Sequence, residues 1–299
     1  MKRWWIYQKE RFPLFAHGPL IFAFSACAVS FSSLLRGAPV PSWQMILTAF
    51  GVCLLMFLQL RIADEFKDAG EDARWRPYRP VPRGLVRLRE LRVVFGIAAL
   101  TQVGLVLALD LRLLWVLAIA WTYLALMSVE FFCRDWLKKR PVVYLVTHMG
   151  IMPLVDFFGT ACEWLPRGSS APAGLGWFLA ASFFNGIVIE IGRKLRQPAD
   201  EEDGVETYSR LWGKSVALNV WLGCLAATLV CAVAAAREID FMVPVSLVLA
   251  PFALVGLALK PAYLRGSLAG KKIEIVSAVW TLVLYLMLGL VPLFVHRAG

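Results

Sequence analysis

An all-α polytopic membrane protein with nine transmembrane helices is the fold class that this sequence predicts. Three observations predict it. Apolar residues make up 59% of the 299 positions and charged residues only 17%, a balance that few soluble domains carry. The apolar residues gather in runs of about 20, the length a helix needs to cross roughly 30 Å of hydrocarbon. Lysine and arginine alternate between rich and poor connections along the chain.

The runs give spans at about 14–35, 42–62, 91–109, 113–133, 141–162, 172–192, 215–236, 241–259 and 273–296. The opening MKRWWIYQKERF is basic and aromatic. The first apolar stretch is too long for a signal-peptide core and lacks a convincing cleavage site, so it reads as a retained span. Asp110 and Arg112 make a short hinge between spans three and four, and Glu238 and Asp240 another between seven and eight. The connections 63–90 and 193–214 are longer and strongly charged. In or beside the connections, Lys and Arg number four in the N-terminal segment and nine, four, five and four after spans two, four, six and eight. The other connections and the C-terminal tail hold one each: Arg36, Arg112, Arg167, Arg237 and Arg297. That puts 26 on one side and five on the other. The positive-inside rule then places the N-terminus in the cytoplasm and the C-terminus on the opposite side. A missed or invented span would scramble the alternation. The net charge of +10 is therefore mostly topological. It suits an anionic membrane surface or an anionic substrate, and nucleic-acid binding finds no further support.

Cys27, Cys53, Cys133, Cys162, Cys224 and Cys231 form no CxxC pair, and most lie inside apolar runs. They read as small hydrophobes rather than disulfide or zinc ligands. His17, His148 and His296 are far apart and make no metal-ligand pattern.

The informative stretch is RIADEFKDAGEDARWRPYRPVPRG, residues 61–84. Residues four apart on a helix share a face. Asp64, Asp68 and Asp72 therefore form an acidic column at the cytoplasmic end of span two. Like charges at that spacing repel, and a divalent cation removes the conflict. Mg²⁺ favours oxygen ligands, typically one or two carboxylates together with substrate phosphates. Arg74, Arg76, Arg79 and Arg83 follow, suited to the phosphate oxygens that a metal leaves free. The bland reading is a solvated acidic loop. A second acidic cluster, in QPADEEDGVETYSRLWG after span six, falls on the same face and favours the metal. The two clusters are four spans apart, which hints at a weak internal repeat.

The run from Asp64 to Asp72, followed by Arg76-Pro77-Tyr78-Arg79-Pro80-Val81-Pro82-Arg83-Gly84, resembles the first signature of the UbiA family of intramembrane prenyltransferases. Asp203-Gly204-Val205-Glu206-Thr207, ending at Leu211-Trp212-Gly213, is similar to the tail of the second signature. The resemblance covers nearly the whole chain and implies a single domain over 1–299, with nine helices around a central cavity open to lipid. It implies Mg²⁺-dependent cleavage of an allylic isoprenyl diphosphate near the cytoplasmic face, with a lipophilic or aromatic acceptor. By position, Asp64 stands where the family has Asn, Glu65 where it has Asp, and Asp68 and Asp72 match. Asp200 matches the Asp four residues before Gly204. The resemblance thus implies Asp64, Asp68, Asp72 and Asp200 as catalytic carboxylates, and a metal set of Asp64, Asp68, Asp72, Glu190, Asp200 and Asp203. Arg76, Arg79, Lys138, Lys139, Arg140 and Lys194 are the implied diphosphate-binding residues.

One departure stands out: Arg196 occupies the place of another Asp in the second motif. Glu190 either supplies that carboxylate from the end of span six or pairs with Lys194 one turn on. Asp156 and Asn185 are further polar residues within spans, and ionisable groups there are functional candidates. Asp156 either contacts an acceptor head group or sits near the far interface.

Three functions compete. A prenyltransferase joins the chain to an acceptor. A terpene cyclase on the same fold lets the chain's own double bonds capture the cation, and the Asp64-Glu65-x-x-Asp68 form keeps that reading open. A transporter would place its acids nearer the bilayer midplane, and here they lie at one interface.

Overall fold

The computed structural model describes residues 2–298, with side chains to residue 296; Met1, Gly299 and the side chain of Arg297, counted above in the tail, lie outside the described residues. The chain is helical throughout and groups into two compact units, Met1–Val29 with Pro41–Ser170 and Ser30–Val40 with Ala171–Gly299.

The first unit begins with α1 (Lys2–Arg11), which leads into α2 (Leu14–Leu35), a helix that continues into the second unit. It goes on with α3 (Trp43–Lys67), α4 (Ala69–Trp75), α5 (Leu88–Leu109), α6 (Leu113–Ser128), α7 (Arg134–Lys138), α8 (Pro141–Met149) and α9 (Ile151–Trp164). Ser42 starts α3 by accepting from the Met45 amide at 3.4 Å. The long α3 packs against α5, α6 and α9, and α6 also packs against α9. Gln102 ties three of these helices together: its amide donates to the Val52 carbonyl at 3.1 Å, and its Oε1 accepts from the Trp121 indole at 3.2 Å. With no water in a bilayer core, such bonds satisfy polar groups that lipid cannot.

Span five is broken. Pro153 has no N–H to offer the Met149 carbonyl, and the helix divides at Gly150 into α8 and α9. The Tyr123 hydroxyl enters the break and donates to the Thr147 carbonyl at 2.5 Å; a Cβ on Gly150 would lie 2.3 Å from that hydroxyl.

In the second unit α10 (Leu175–Arg193), α11 (Tyr208–Trp212), α12 (Lys214–Arg237), α13 (Met242–Leu264), α14 (Gly270–Leu288) and α15 (Leu290–Ala298) follow in order. α10 packs on α12 and α14, and α13 on both α12 and α14. The interior carries a ladder of polar contacts. Thr281 donates to Asn185 at 3.1 Å, Tyr285 to Ser182 at 3.4 Å and Trp221 to Ser277 at 3.0 Å. Phe31 stacks on Phe178 at 4.6 Å. On α13, by contrast, Val243, Leu247, Leu254 and Leu257 are exposed, an apolar face that suits lipid.

Among the described residues, eight helical segments are long and apolar enough to cross a membrane; α8 with α9, and α14 running into α15, count as one each. The ninth expected span, 113–133, is shorter than its sequence suggested. α6 covers 16 residues, and the chain then turns left-handed through Glu130, Phe131 and Phe132 at φ 52°, 51° and 59°. All six cysteines are free, as their placement in apolar runs predicted.

Gly270 sets the start of α14: a Cβ there would meet the Leu195 carbonyl oxygen at 1.8 Å, whereas Gly104 has open space around it. Gly270→Ala is expected to lower stability by about 2–3 kcal/mol and Gly104→Ala to be neutral or slightly stabilising, read as melting temperatures of the two variants in detergent.

Candidate active site

The acidic column predicted for Asp64, Asp68 and Asp72 is present. α3 ends at Lys67, yet the four-residue backbone ladder carries on through the junction. The Asp68 amide donates to the Asp64 carbonyl at 2.9 Å, Asp72 to Asp68 at 2.8 Å and Arg76 to Asp72 at 2.9 Å. The three acids thus share a face while their surroundings differ. Asp64 is half-exposed and pairs loosely with Arg61 at 3.4 Å, one turn back. Asp72 is 2% exposed, and both its oxygens are taken. Arg79 reaches them at 2.8 and 2.6 Å, and Arg76 adds a bond to Oδ1 at 2.9 Å.

Asp68 lies between them, part-buried, with no ion-pair partner among the described residues. Burial pushes its carboxyl above the usual value, the charge of Asp64 adds to the push, and Lys67 opposes it. The neighbouring acids are all met by cations. Glu65, 2% exposed, is bonded to Arg11, and Glu71 holds Lys138 at 2.8 Å with Arg134 at 4.0 Å.

The loop after α4 keeps Arg79 in place. Val86 and Leu91 bury against Tyr7 of α1 and Ile62 of α3, with Val81, Leu85 and Leu88 packed around them. Gly84 takes φ +75°, a conformation that favours glycine, so that the Leu85 amide can turn back to the Pro80 carbonyl at 2.9 Å. Arg83 bonds Glu10 at 2.9 Å. Glu10, Arg11, Tyr78, Arg79 and Pro80 line a cleft of about 410 Å³.

The structure therefore brings Asp64, Asp68, Asp72, Arg76, Arg79 and Lys138 together, with Glu71 as the link to Lys138. Lys139 is exposed, and Arg140 lies over the Trp136 ring at 4.4 Å. Glu130 was not singled out from the sequence. It is 3% exposed and pairs with Lys67 at 2.7 Å and with His148 at 3.2 Å. Its signal was available: it is the one carboxylate inside the predicted span 113–133.

The second motif belongs to the second unit. Glu190, at the end of α10, is bonded to Arg193 at 2.6 Å and to Lys194 at 2.9 Å, the helix-end pairing that was one of its two readings. Asp200 and Asp203 are exposed on the loop that follows. That loop is fastened from below. Gln197 donates to the Tyr263 and Leu268 carbonyls at 2.9 and 2.7 Å, and the Tyr263 hydroxyl donates to the Arg196 carbonyl at 2.9 Å. Arg196, Arg210 and Lys214, with Pro198, Glu201 and Ser209, line a cleft of about 240 Å³. Three cations against one carboxylate make it a place for an anion. Of the polar residues within spans, Asp156 is fully buried in α9 and Asn185 in α10. Among the described residues no group of three or more His, Cys, Asp or Glu is arranged to hold a metal by itself.

Two stability effects follow from the column. Asp72→Ala leaves two arginines unpaired and is expected to cost about 2–3 kcal/mol, against less than about 0.5 kcal/mol for Asp64→Ala. Asp68→Asn runs the other way. A carboxyl with a raised folded pKa lowers stability above that pKa, and the penalty disappears as the pH falls through it. Asp68→Asn is thus expected to raise the melting temperature at pH 7, with the gain shrinking in acid; a variant less stable than wild type at pH 7 would show that Asp68 is compensated.

The model of the UbiA prenyltransferase family matches residues 23–271, and the chain belongs to that family. A search of curated protein sequences returns no match. Among solved structures, the apo form of a UbiA homologue from Aeropyrum pernix K1 is similar, with a TM-score of 0.70 at 14% identity over 92% of this chain and 98% of that one. A structure of digeranylgeranylglyceryl phosphate synthase is also similar, with a TM-score of 0.61 at 14% identity over 96% and 98%. At that identity the two structures establish the fold, an all-helical integral membrane fold with several spans.

Proposed function

We propose that this UbiA-family membrane protein is a Mg²⁺-dependent prenyltransferase that ionises an allylic isoprenyl diphosphate and transfers the prenyl chain to a lipophilic or aromatic acceptor. The observation that carries the reading is Asp68: a part-buried carboxylate without a cation, one turn from the half-exposed Asp64. Among the described residues each other acid around it meets a cation, Asp64 the most loosely, so Asp68 with Asp64 is the part of the column best placed to take a positive charge. Two oxygen donors of this kind fit Mg²⁺, which takes one or two carboxylates and completes its shell with water and phosphate. Asp64 and Asp68 would hold the ion. Asp72 is the less suitable ligand of the three, since Arg76 and Arg79 occupy its oxygens. Its part is to aim those two arginines.

Bound there, Mg²⁺ would supply positive charge to the leaving diphosphate. The residues of the chain do the rest. Arg79, Arg76 and Lys138 offer N–H donors to phosphate oxygens, and a guanidinium fork suits a phosphate. As the bond from C1 to oxygen breaks, the electron pair leaves with pyrophosphate. The acceptor's nucleophilic atom then bonds C1 and loses its proton. The apolar helices keep water from the allylic cation in between. In the second unit, the cleft of Arg196, Arg210 and Lys214 suits a phosphate as well, and Asp200 and Asp203 lie on the same loop. The charge alternation supports a cytoplasmic position for these loops. Membership of a prenyltransferase family, with a digeranylgeranylglyceryl phosphate synthase among the similar structures, supports a transferase over a cyclase or a transporter.

The test uses protein in nanodiscs with Mg²⁺ and allylic diphosphates of ten to twenty carbons, following pyrophosphate release and products by mass spectrometry. Release that depends on added acceptor, and that Asp68→Ala abolishes while the variant stays folded, is the expected result. Full turnover by Asp68→Ala would remove the metal site, and cyclic hydrocarbon formed without acceptor would make the protein a cyclase. Arg79→Ala is expected to raise the apparent KM for the diphosphate at least tenfold; each lost charged hydrogen bond is worth roughly 1.5–3 kcal/mol.

A further inference from the structure

Lys67 ends α3, one peptide bond before Asp68. A free ammonium at that position would be drawn to the unpaired carboxylate beside it and would compete with any cation for it. The structure turns it the other way. Lys67 Nζ lies 2.7 Å from Glu130 Oε1, hydrogen-bonds the Tyr144 hydroxyl and faces His148 Nε2 at 3.4 Å. It also sits 4.8 Å from the centre of the Tyr144 ring. An ammonium has three protons, and these contacts use its donor capacity in full. Behind it the partners brace one another. The Tyr144 hydroxyl donates to Glu130 Oε1 at 3.4 Å, and the His148 ring, held by its Nδ1 against the Tyr144 carbonyl at 2.8 Å, stacks on the Tyr144 ring at 3.8 Å.

The backbone is bent to make this contact. Glu130, Phe131 and Phe132 are three successive non-glycine residues at positive φ. Such a run persists only where the surroundings impose it, and strain of this kind collects at functional sites. Here it buries the Glu130 carboxylate against the end of α3.

We propose that Glu130, braced by Tyr144 and His148, is a positioning residue that sequesters the Lys67 ammonium and so leaves the Asp68 carboxylate open to a divalent cation. The inference rests on the reading of Asp64 and Asp68 as the cation-holding pair. Held by Glu130, the Lys67 ammonium acts on Asp68 only from a distance and forms no ion pair with it. Without Glu130, a full positive charge stands next to it, free to swing to Asp68.

The test measures Mn²⁺ alone, by loss of the free-ion electron paramagnetic resonance signal, on full-length protein in nanodiscs at neutral pH, after subtraction of the signal change given by Asp68→Asn. Glu130→Gln is expected to weaken the Asp68-dependent binding about tenfold. The double variant Lys67→Met/Glu130→Gln is expected to return to within about twofold of wild type, because the competing charge is gone. A double variant as weak as the single one would make Glu130 merely structural and overturn the proposal, as would a Glu130→Gln that binds like wild type. If Glu130→Gln fails to fold, Tyr144→Phe takes its place. It removes the hydroxyl that bonds both Lys67 and Glu130 and takes away no charge, and weakening of about twofold to threefold, reversed by Lys67→Met, is expected; unchanged binding overturns the proposal. A wild-type protein with no Asp68-dependent Mn²⁺ binding would overturn the reading of Asp68 itself and this inference with it, an outcome distinct from all the others.

Discussion

A carboxylate at the end of an apolar helix is costly unless a cation meets it, and that constraint arranges the whole end of the first unit. Arg11 comes from α1 to Glu65, Arg79 and Arg76 fold back to Asp72, Lys138 reaches Glu71 from α7, and Lys67 crosses to Glu130. Each pairing fixes a segment that would otherwise be a loose connection. The loop from Arg76 to Gly84 is held at one side by Asp72 and at the other by the apolar cluster of Tyr7, Ile62, Val86 and Leu91. The pairs of Glu65, Asp72 and Glu130 are buried, and such pairs add little net stability compared with apolar packing, but breaking one is expensive. They therefore specify where the segments go. Against this background, it is informative that Asp68 has no ion-pair partner among the described residues, because each neighbouring acid shows that the chain can supply one.

Much of this was legible in the sequence. The apolar runs gave the helices because a span needs a minimum length of hydrocarbon-compatible residues, and residues 14–35 and 88–109 show helices almost to the predicted bounds. The four-residue spacing of Asp64, Asp68 and Asp72 survived a helix junction at Lys67, since the backbone ladder continues through it. What the spacing could not show is how differently the three acids are surrounded. That depends on the arginines 76 and 79, whose return to Asp72 is a matter of loop path rather than of helical period.

The errors of the sequence reading share a cause. Hydropathy sums over a window and does not register a single backbone turn. It extended span four to residue 133, although the chain leaves the helix after Ser128, and within span five, which is present, it gave no sign of the division at Gly150. Glu130 was passed over for the same reason: one acid in an apolar window hardly changes its mean. The partners that give it meaning, Lys67 and His148, are 63 and 18 residues away and no local pattern links them. Glu190 shows the opposite case. Its pairing with Lys194 is a one-turn contact, and the sequence contained it in full.

The shortness of α6 has a consequence for the lipid around the protein. Sixteen residues of helix rise roughly 24 Å, several ångströms less than a hydrocarbon core of about 30 Å. Its flank is strongly apolar, with Trp115 and Ile119 exposed, so this side of the molecule meets acyl chains over less height than its longer neighbours do. Hydrophobic mismatch of that kind is relieved by local thinning of the bilayer or by tilt, at a modest cost for each ångström. The exposed Val129 and Phe132 carry the apolar surface on past the end of α6, so the turn that holds Glu130 is itself part of what the lipid on this side has to fit.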